Sequence, residues 1–263
     1  MIHVKKGWTK EETDFLIDNY PTKGTSYCAK HLGYKYTKVR GKIQSMGLKK
    51  NKNIDMFMFL NIEDPNLIYL LGLLWADGTV HNSTVVLECV IEDADVFEGY
   101  FKKICKYKSY IRNRGYRTQK SLKIGSSDLF RFLNEHDYDK KSYVSPNKIL
   151  SKIPDNLKFY FYRGILDGDG CFYYNKKAYL SQFSISSSYE QDWGYMVNLC
   201  DILGIKKYRI DKHSNKKGVG SIFRIVNKKE ISIIGNYIYH NYDNDNIGLP
   251  RKYDKFLGIT THK

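Results

Sequence analysis

No stretch of this 263-residue chain supplies the roughly 18 to 20 consecutive apolar residues that a bilayer-spanning helix needs, so a soluble protein without a membrane partner is expected. An apolar signal core is also missing from the opening MIHVKKGWTKEE, and acids appear there too early for a typical transit peptide. That points to a cytoplasmic compartment, of a bacterial or phage-infected cell or alternatively of an organelle. Cysteine is sparse. Cys28, Cys89, Cys105, Cys171 and Cys200 are odd in number, far apart and never arranged as CxxC with a histidine partner. A disulfide framework and a zinc ribbon are both excluded, and each cysteine reads as a small reduced core residue. Negative charge is scarce too, with 28 acids against 43 lysines and arginines and a net charge of +15. Aromatics, at 15%, are too many for a disordered basic tail. What remains is a folded binder of polyanions.

The charge is uneven. Residues 1–53 hold twelve basic and four acidic side chains. Here Thr9-Lys10-Glu11-Glu12 forms a capping-box signature, with Phe15, Leu16 and Tyr20 on the buried face that follows. Pro21 and Gly24 are expected to end that helix, Cys28, Ala29 and Leu32 to lie in a second, and Gly33 to turn the chain into a third from about Thr37. The third would bury Val39, Ile43 and Met46 and turn Lys38, Arg40, Lys42 and Gln44 outward. WTKEE, the Ala29-Leu32-Gly33 turn and the closing MGLKK together resemble Myb-like and helix-turn-helix DNA-binding modules. The expected division is a helical domain over 1–50, a tether over 51–64, and two repeats over 65–156 and 157–263.

Those repeats share one order, αββαββα, at a period of about ninety residues, which chance rarely produces. Each opens with an apolar helix ending in an acid and a glycine: LLGLLWADG at 70–78 and YRGILDGDG at 162–170. Asp77 and Asp169 are 92 residues apart, so a pseudo-twofold between the repeats would make them neighbours. Gly72 and Gly164 precede them where two helix backbones could pack closely. Two carboxylates at helix C-termini, already partly negative, call for cations between them, and hard divalent ions with oxygen ligands suit that role. Mg²⁺ is the expected cofactor, with Mn²⁺ able to substitute.

This pattern resembles the LAGLIDADG family over about 200 residues, from Pro65 to near Leu257. The resemblance implies an α+β fold, in which tandem repeats form a pseudo-twofold saddle of antiparallel sheets, preceded here by the small all-α module. It implies a homing endonuclease that cuts both strands of a long, largely asymmetric double-stranded DNA site and leaves 3′ overhangs. Asp77 and Asp169 map onto the family's essential metal-binding acids. The sixth motif position, commonly Asp, is Asp167 in repeat two but Trp75 in repeat one. A basic residue near each scissile phosphate is implied as well. The tripeptides Tyr138-Asp139-Lys140 and Tyr253-Asp254-Lys255, with Lys141 adjacent, nominate Lys255 and either Lys140 or Lys141. At the end of the second strand Ser187 offers a polar group where repeat one has Ile91.

Period-two alternation assigns a DNA-facing set. In repeat one it comprises Arg112, Arg114, Arg117, Gln119 and Lys123. In repeat two it comprises Tyr173, Asn175, Lys177, Arg209, Lys212, His213, Asn215 and Arg224, with Lys216 and Lys217 near the hairpin turn reaching the backbone. Arg suits guanine edges, Asn and Gln suit adenine, and Lys suits phosphate. A monomer with no obligate protein partner is expected. The rival readings are an RNA-splicing maturase and a transcriptional regulator on the same fold.

Overall fold

The computed structural model describes residues 7–49, 62–81, 83–114, 117–175, 180–216 and 218–261. The chain divides into two compact units, 1–53 and 54–263. Most of the stretch read as a tether, residues 50–61, lies outside the described residues.

In the first unit the capping box forms: Thr9 Oγ1 accepts from the Glu12 amide at 3.2 Å while Glu12 Oε2 accepts from the Thr9 amide at 3.0 Å. It starts α1 (Lys10–Leu32). The expected stop at Pro21 does not occur. Proline removes one amide donor, which a helix held by packing tolerates, and the break falls at Gly24, the other expected stop, whose φ of 80° and ψ of 173° suit glycine alone. Gly33, left-handed at φ 67°, closes α1, and α2 (Tyr36–Ser45) follows. Leu16, Cys28, Ala29, Val39 and Ile43 form the core, with Met46 half-buried against it. Trp8 meets Tyr34 edge to face at 5.1 Å, and the Tyr34 hydroxyl donates to Glu12 at 2.7 Å.

In the second unit α3 (Pro65–Asp77) is capped by Asp64, whose carboxylate accepts from the Asn66 amide at 2.8 Å, with Pro65 in the first turn. It leads into β1 (Gly78–His81), β2 (Thr84–Val90), α4 (Ile91–Ile104), β3 (Lys108–Arg114), β4 (Arg117–Gly125) and α5 (Ser127–Glu135). A short α6 (Asn147–Leu150) bridges to the second copy. That copy comprises α7 (Lys158–Asp169), β5 (Gly170–Asn175), β6 (Leu180–Ser187), α8 (Gly194–Ile202), β7 (Tyr208–Asn215), β8 (Gly218–Ile225) and α9 (Lys228–Ile238). The chain closes with α10 (Tyr242–Asp245) and α11 (Pro250–Thr261). Both sheets are antiparallel, ordered β1-β2-β4-β3 and β5-β6-β8-β7. The two copies therefore have one topology, and the expected αββαββα order is observed.

Helices α3 and α7 form the centre. Both are buried almost all round, from Leu67 to Trp75 and from Phe159 to Asp167, because each packs on its own sheet and on the other. The crossing depends on glycine. A Cβ on Gly72 would lie 2.0 Å from the Phe161 carbonyl oxygen, and one on Gly164 would lie 2.2 Å from that of Tyr69. Neither neighbour can yield, since both are helix backbone. Polar groups pin the copies together across this seam: the Tyr69 hydroxyl donates to Asp167 at 2.8 Å, and Arg251 Nε donates to Asp93 at 2.7 Å.

Arg163 is an unusual core member. Fully buried, it donates to the carbonyls of Ile238, His240 and Ile247 at 2.6–2.9 Å and pairs with Asp245 at 3.2 Å. The Tyr160 ring lies 5.1 Å from its guanidinium. These partners offset a desolvation penalty of several kcal/mol for the lone ion.

Candidate active site

The α3–α7 crossing carries Asp77 and Asp169, the last residues of the two helices, into one cleft of about 780 Å³. Their proximity is local and tight: a Cβ on Gly168, the residue before Asp169, would lie 3.3 Å from Asp77 Oδ2. Both side chains are exposed to the cleft, with protein packed on the remaining sides. Burial raises the Asp77 carboxyl above the usual range, with Lys141 and Lys252 pulling the other way. Burial, followed by repulsion from Asp77, pushes Asp169 up to about 7. Two acids meeting at helix ends that are themselves partly negative make a site that binds positive charge.

Two lysines answer that charge. Lys141 Nζ donates to the carbonyls of Trp75 and Ala76 at 2.7 Å and Leu74 at 3.3 Å, which closes the end of α3. Burial lowers it to about 8, held from falling further by Asp169 and Asp77. Lys252 Nζ does the same for α7, donating to Leu166 and Asp167 at 2.7 Å and Gly170 at 2.9 Å. Burial lowers its pKa too. The expected lysine of the second copy was Lys255, and here the structure differs. On α11 the residues Lys252, Phe256 and Ile259 share the inward stripe, while Lys255, at the edge of that stripe, is exposed. Lys140 is likewise exposed and off the cleft. The matched YDK tripeptides point to Lys255, whereas the i, i+4, i+7 stripe of α11 turns Lys252 inward.

Beyond the acids the cleft is lined by Ser186, Ser187, Tyr189, Gln191, His213 and Lys216 of the second copy, but from the first by little more than the α3 terminus and Lys141-Ser142. Ser187 thus sits where expected, and Ile91 begins α4 away from the cleft. Tyr189 and Gln191 were not anticipated; they lie on a loop with no periodicity. Buried Ser221 fixes that loop, accepting from the Gln191 amide at 3.1 Å and the Trp193 indole at 3.0 Å and donating to the Tyr189 carbonyl at 2.9 Å. Trp75, in place of a second motif aspartate, packs on Tyr138, while Asp167 is buried and accepts from Tyr69 and from the Leu249 amide.

The registers assign the sheet faces. Leu87, Leu122 and Ile124 turn to the helices; Arg112, Gln119 and Lys123 share the opposite, solvent face, with Arg112 directly across from Gln119. In the second sheet Phe183, Phe223 and Ile225 turn inward, and Tyr173, Asn175, Arg209, His213 and Arg224 share the solvent face. Lys212 does not. It follows Asp211 by one residue, so the pleat turns it to the other face, where it pairs with Glu190. The side chains of Arg114, Arg117 and Asn215, and all of Lys177 and Lys217, lie outside the described residues. In the first unit Lys38 and Lys42 flank the buried stripe of α2 on one side, with Lys38 Nζ 3.3 Å from the Tyr34 ring centroid, and Arg40 and Gln44 flank it on the other. Among the described residues no helix is long and apolar enough to cross a membrane.

No protein-family pattern matches the chain, and no curated protein matches it. Solved structures do. The homing endonuclease I-WcaI bound to its DNA recognition sequence aligns over 74% of this chain and 87% of its own, with a TM-score of 0.51 and 15% identity. The I-SmaMI LAGLIDADG homing endonuclease bound to cleaved DNA aligns over 80% and 89%, with a TM-score of 0.47 and 16% identity. Two four-stranded antiparallel sheets around a glycine-paired helix crossing, in an internally duplicated chain, are a fold that this chain shares with the first of these structures.

Proposed function

We propose that the chain is a site-specific, double-strand DNA endonuclease dependent on divalent metal. One observation carries the reading: Asp77 and Asp169 meet at the paired ends of α3 and α7, between two sheets whose solvent faces carry arginine, lysine and amide side chains. A fold core has no use for two mutually repelling acids in a cleft, whereas phosphodiester hydrolysis does.

The donor set fits a hard cation. It offers two desolvated carboxylates, and among the described residues no group of three or more His, Cys, Asp and Glu completes a protein cage. Such a cation must complete its shell with water and phosphate oxygens, as Mg²⁺ does. When bound, it supplies polarisation of a phosphoryl oxygen and a nucleophile at neutral pH. The chain's own residues do the rest. Asp77 and Asp169 hold the positive charge at the junction of the half-sites. Lys141 and Lys252 neutralise the helix-end carbonyls and set fixed positive charge beside the developing negative charge of the transition state. Ser187 and Gln191 offer polar groups to order water on the second-copy side. Each copy serves one strand, so a monomer suffices for a double-strand cut, with 3′ overhangs as the expected product. The first unit adds a helix-turn-helix type of contact through Lys38, Arg40, Lys42 and Gln44; tethering makes even weak binding there effective.

The test is incubation of the full chain with a genomic or phage DNA library in Mg²⁺, followed by sequencing of the ends. Cleavage at one recurrent site that Asp77→Asn and Asp169→Asn abolish supports the proposal. Sequence-selective binding without any cut, in Mg²⁺ or Mn²⁺, overturns it in favour of a regulator.

A further inference from the structure

The solvent faces of both sheets carry an acid where an acid is costly. On a surface that meets phosphates each carboxylate repels the ligand and retains a counterion that binding would otherwise release. Glu88 on β2 and Asp211 on β7 nonetheless occupy those faces. Each is engaged by arginine. Arg112 extends from β3 across β4 to donate to Glu88 Oε1 at 2.9 Å, and the Ser121 hydroxyl between them reaches the same oxygen at 3.4 Å. In the other sheet Arg209 and Arg224 are directly opposite one another on β7 and β8, a like-charge pair that would repel. Asp211 lies within 3.1 Å of the first and 3.2 Å of the second, which offsets the repulsion and ties the two heads together.

Arg112 and Arg209 remain accessible, at 43% and 56%, and Arg224 partly so, at 27%, so the pairs brace the guanidinium groups without fully burying them. An unbraced arginine has about 2 kcal/mol of rotamer entropy to lose and bends readily to the nearest phosphate. A braced one keeps its remaining N–H groups in a fixed direction along the sheet.

Resting on the endonuclease reading, we propose that Glu88 and Asp211 are specificity-determining positioning residues. They hold Arg112 in one half-site, and the Arg209–Arg224 pair in the other, as preset forks for base edges, guanine foremost, and restrain them from phosphates.

The probe is a pool of duplexes with a randomised core, selected by the full-length protein in EDTA so that no strand is cut, with Glu88→Gln and Asp211→Asn selected in parallel. The wild type is expected to give a defined sequence. Each variant is expected to blur a separate cluster of positions, one in each half. Its affinity for mixed-sequence duplex should rise several-fold, with a salt slope steeper by about one phosphate contact. Arg112→Lys, which keeps the charge but loses the fork, should blur the same positions as Glu88→Gln, and it stands in for that variant if the latter fails to fold. Variants that select the wild-type sequence with undiminished sharpness overturn the positioning role. So does blurring by Glu88→Gln and Arg112→Lys at unrelated positions. A wild-type chain that selects no sequence at all overturns the endonuclease reading itself.

Discussion

Asp169→Asn separates a carboxylate kept for chemistry from one kept for the fold. Burial and the facing Asp77 push the Asp169 carboxyl up to about 7, whereas an unfolded chain titrates it near 4. Between those pH values the folded protein holds a proton that the unfolded chain has released. The ionised group therefore destabilises the fold fully above about pH 7, progressively less as the pH falls, and not at all below about pH 4. A rise of that size is worth about 4 kcal/mol at full strength. The side chain opens onto cleft water, however, and screening reduces the working figure to about 1–2 kcal/mol. Asparagine keeps the shape and discards the charge. In EDTA near pH 8 the variant should be more stable by that amount, about 3–6 °C in Tm for a protein of this size. Near pH 5 the gain should shrink to less than half. Adding about 10 mM Mg²⁺ should narrow or reverse the order, because only the wild type keeps both acids to bind it. Thermal melts at both pH values, with and without Mg²⁺, read all of this. A variant no more stable than wild type near pH 8 in EDTA, or a gain indifferent to pH, would refute the reasoning.

Gly72→Ala and Gly164→Ala place a methyl within 2.0–2.2 Å of a helix carbonyl oxygen, so each should cost more than about 3 kcal/mol and sharply reduce the yield of folded protein; circular-dichroism melts check it. Lys252→Met strips a cation from three carbonyls and should lower both stability, by about 2 kcal/mol, and cleavage. Lys255→Ala, at an exposed position of α11, should shift stability by less than about 0.5 kcal/mol and leave the cleavage rate near wild type. In duplex-binding titrations Arg224→Ala should weaken affinity for the preferred sequence and relax its selectivity, while Lys212→Ala, on the other face, should do neither.

What the sequence made legible followed from repetition and period. The 92-residue interval between two acid-glycine helix ends places Asp77 beside Asp169, and the same duplication gives the αββαββα order. Period two put Arg112, Gln119 and Lys123 on one face. Two expectations meet a different placement: Lys212 and His213 are adjacent on β7 and cannot share a face, and Lys252 rather than Lys255 lies on the inward stripe of α11. Arg163 was illegible for a different reason. Its partners are backbone carbonyls of Ile238, His240 and Ile247, more than seventy residues away, and a carbonyl has no sequence signature. Glu88 and Asp211 are not legible in sequence, because acids on a basic sheet face acquire meaning only beside the arginines they pair with.

The registers also say where the two copies agree. Gly78 faces Leu87 as Gly170 faces Ile185, and from that shared origin each backbone slot in one sheet has a counterpart in the other. Inward slots hold similar residues: Val85 with Phe183, Leu122 with Phe223, Ile124 with Ile225. Packing against the paired helices constrains them to apolar side chains. Two outward slots are basic in both copies, Lys108 with Arg209 and Lys123 with Arg224, and others have diverged: Tyr110 with Asp211, Arg112 with His213, Glu88 with Ser186, Ser121 with Ile222. No core holds these, so each is free to serve what lies against it. The two interiors thus match, while the two outer faces share two basic slots and differ in several of their other donors, acceptors and charges. If these faces read DNA, the two halves of the target must differ most at the base pairs opposite the slots where arginine stands against histidine and tyrosine against aspartate.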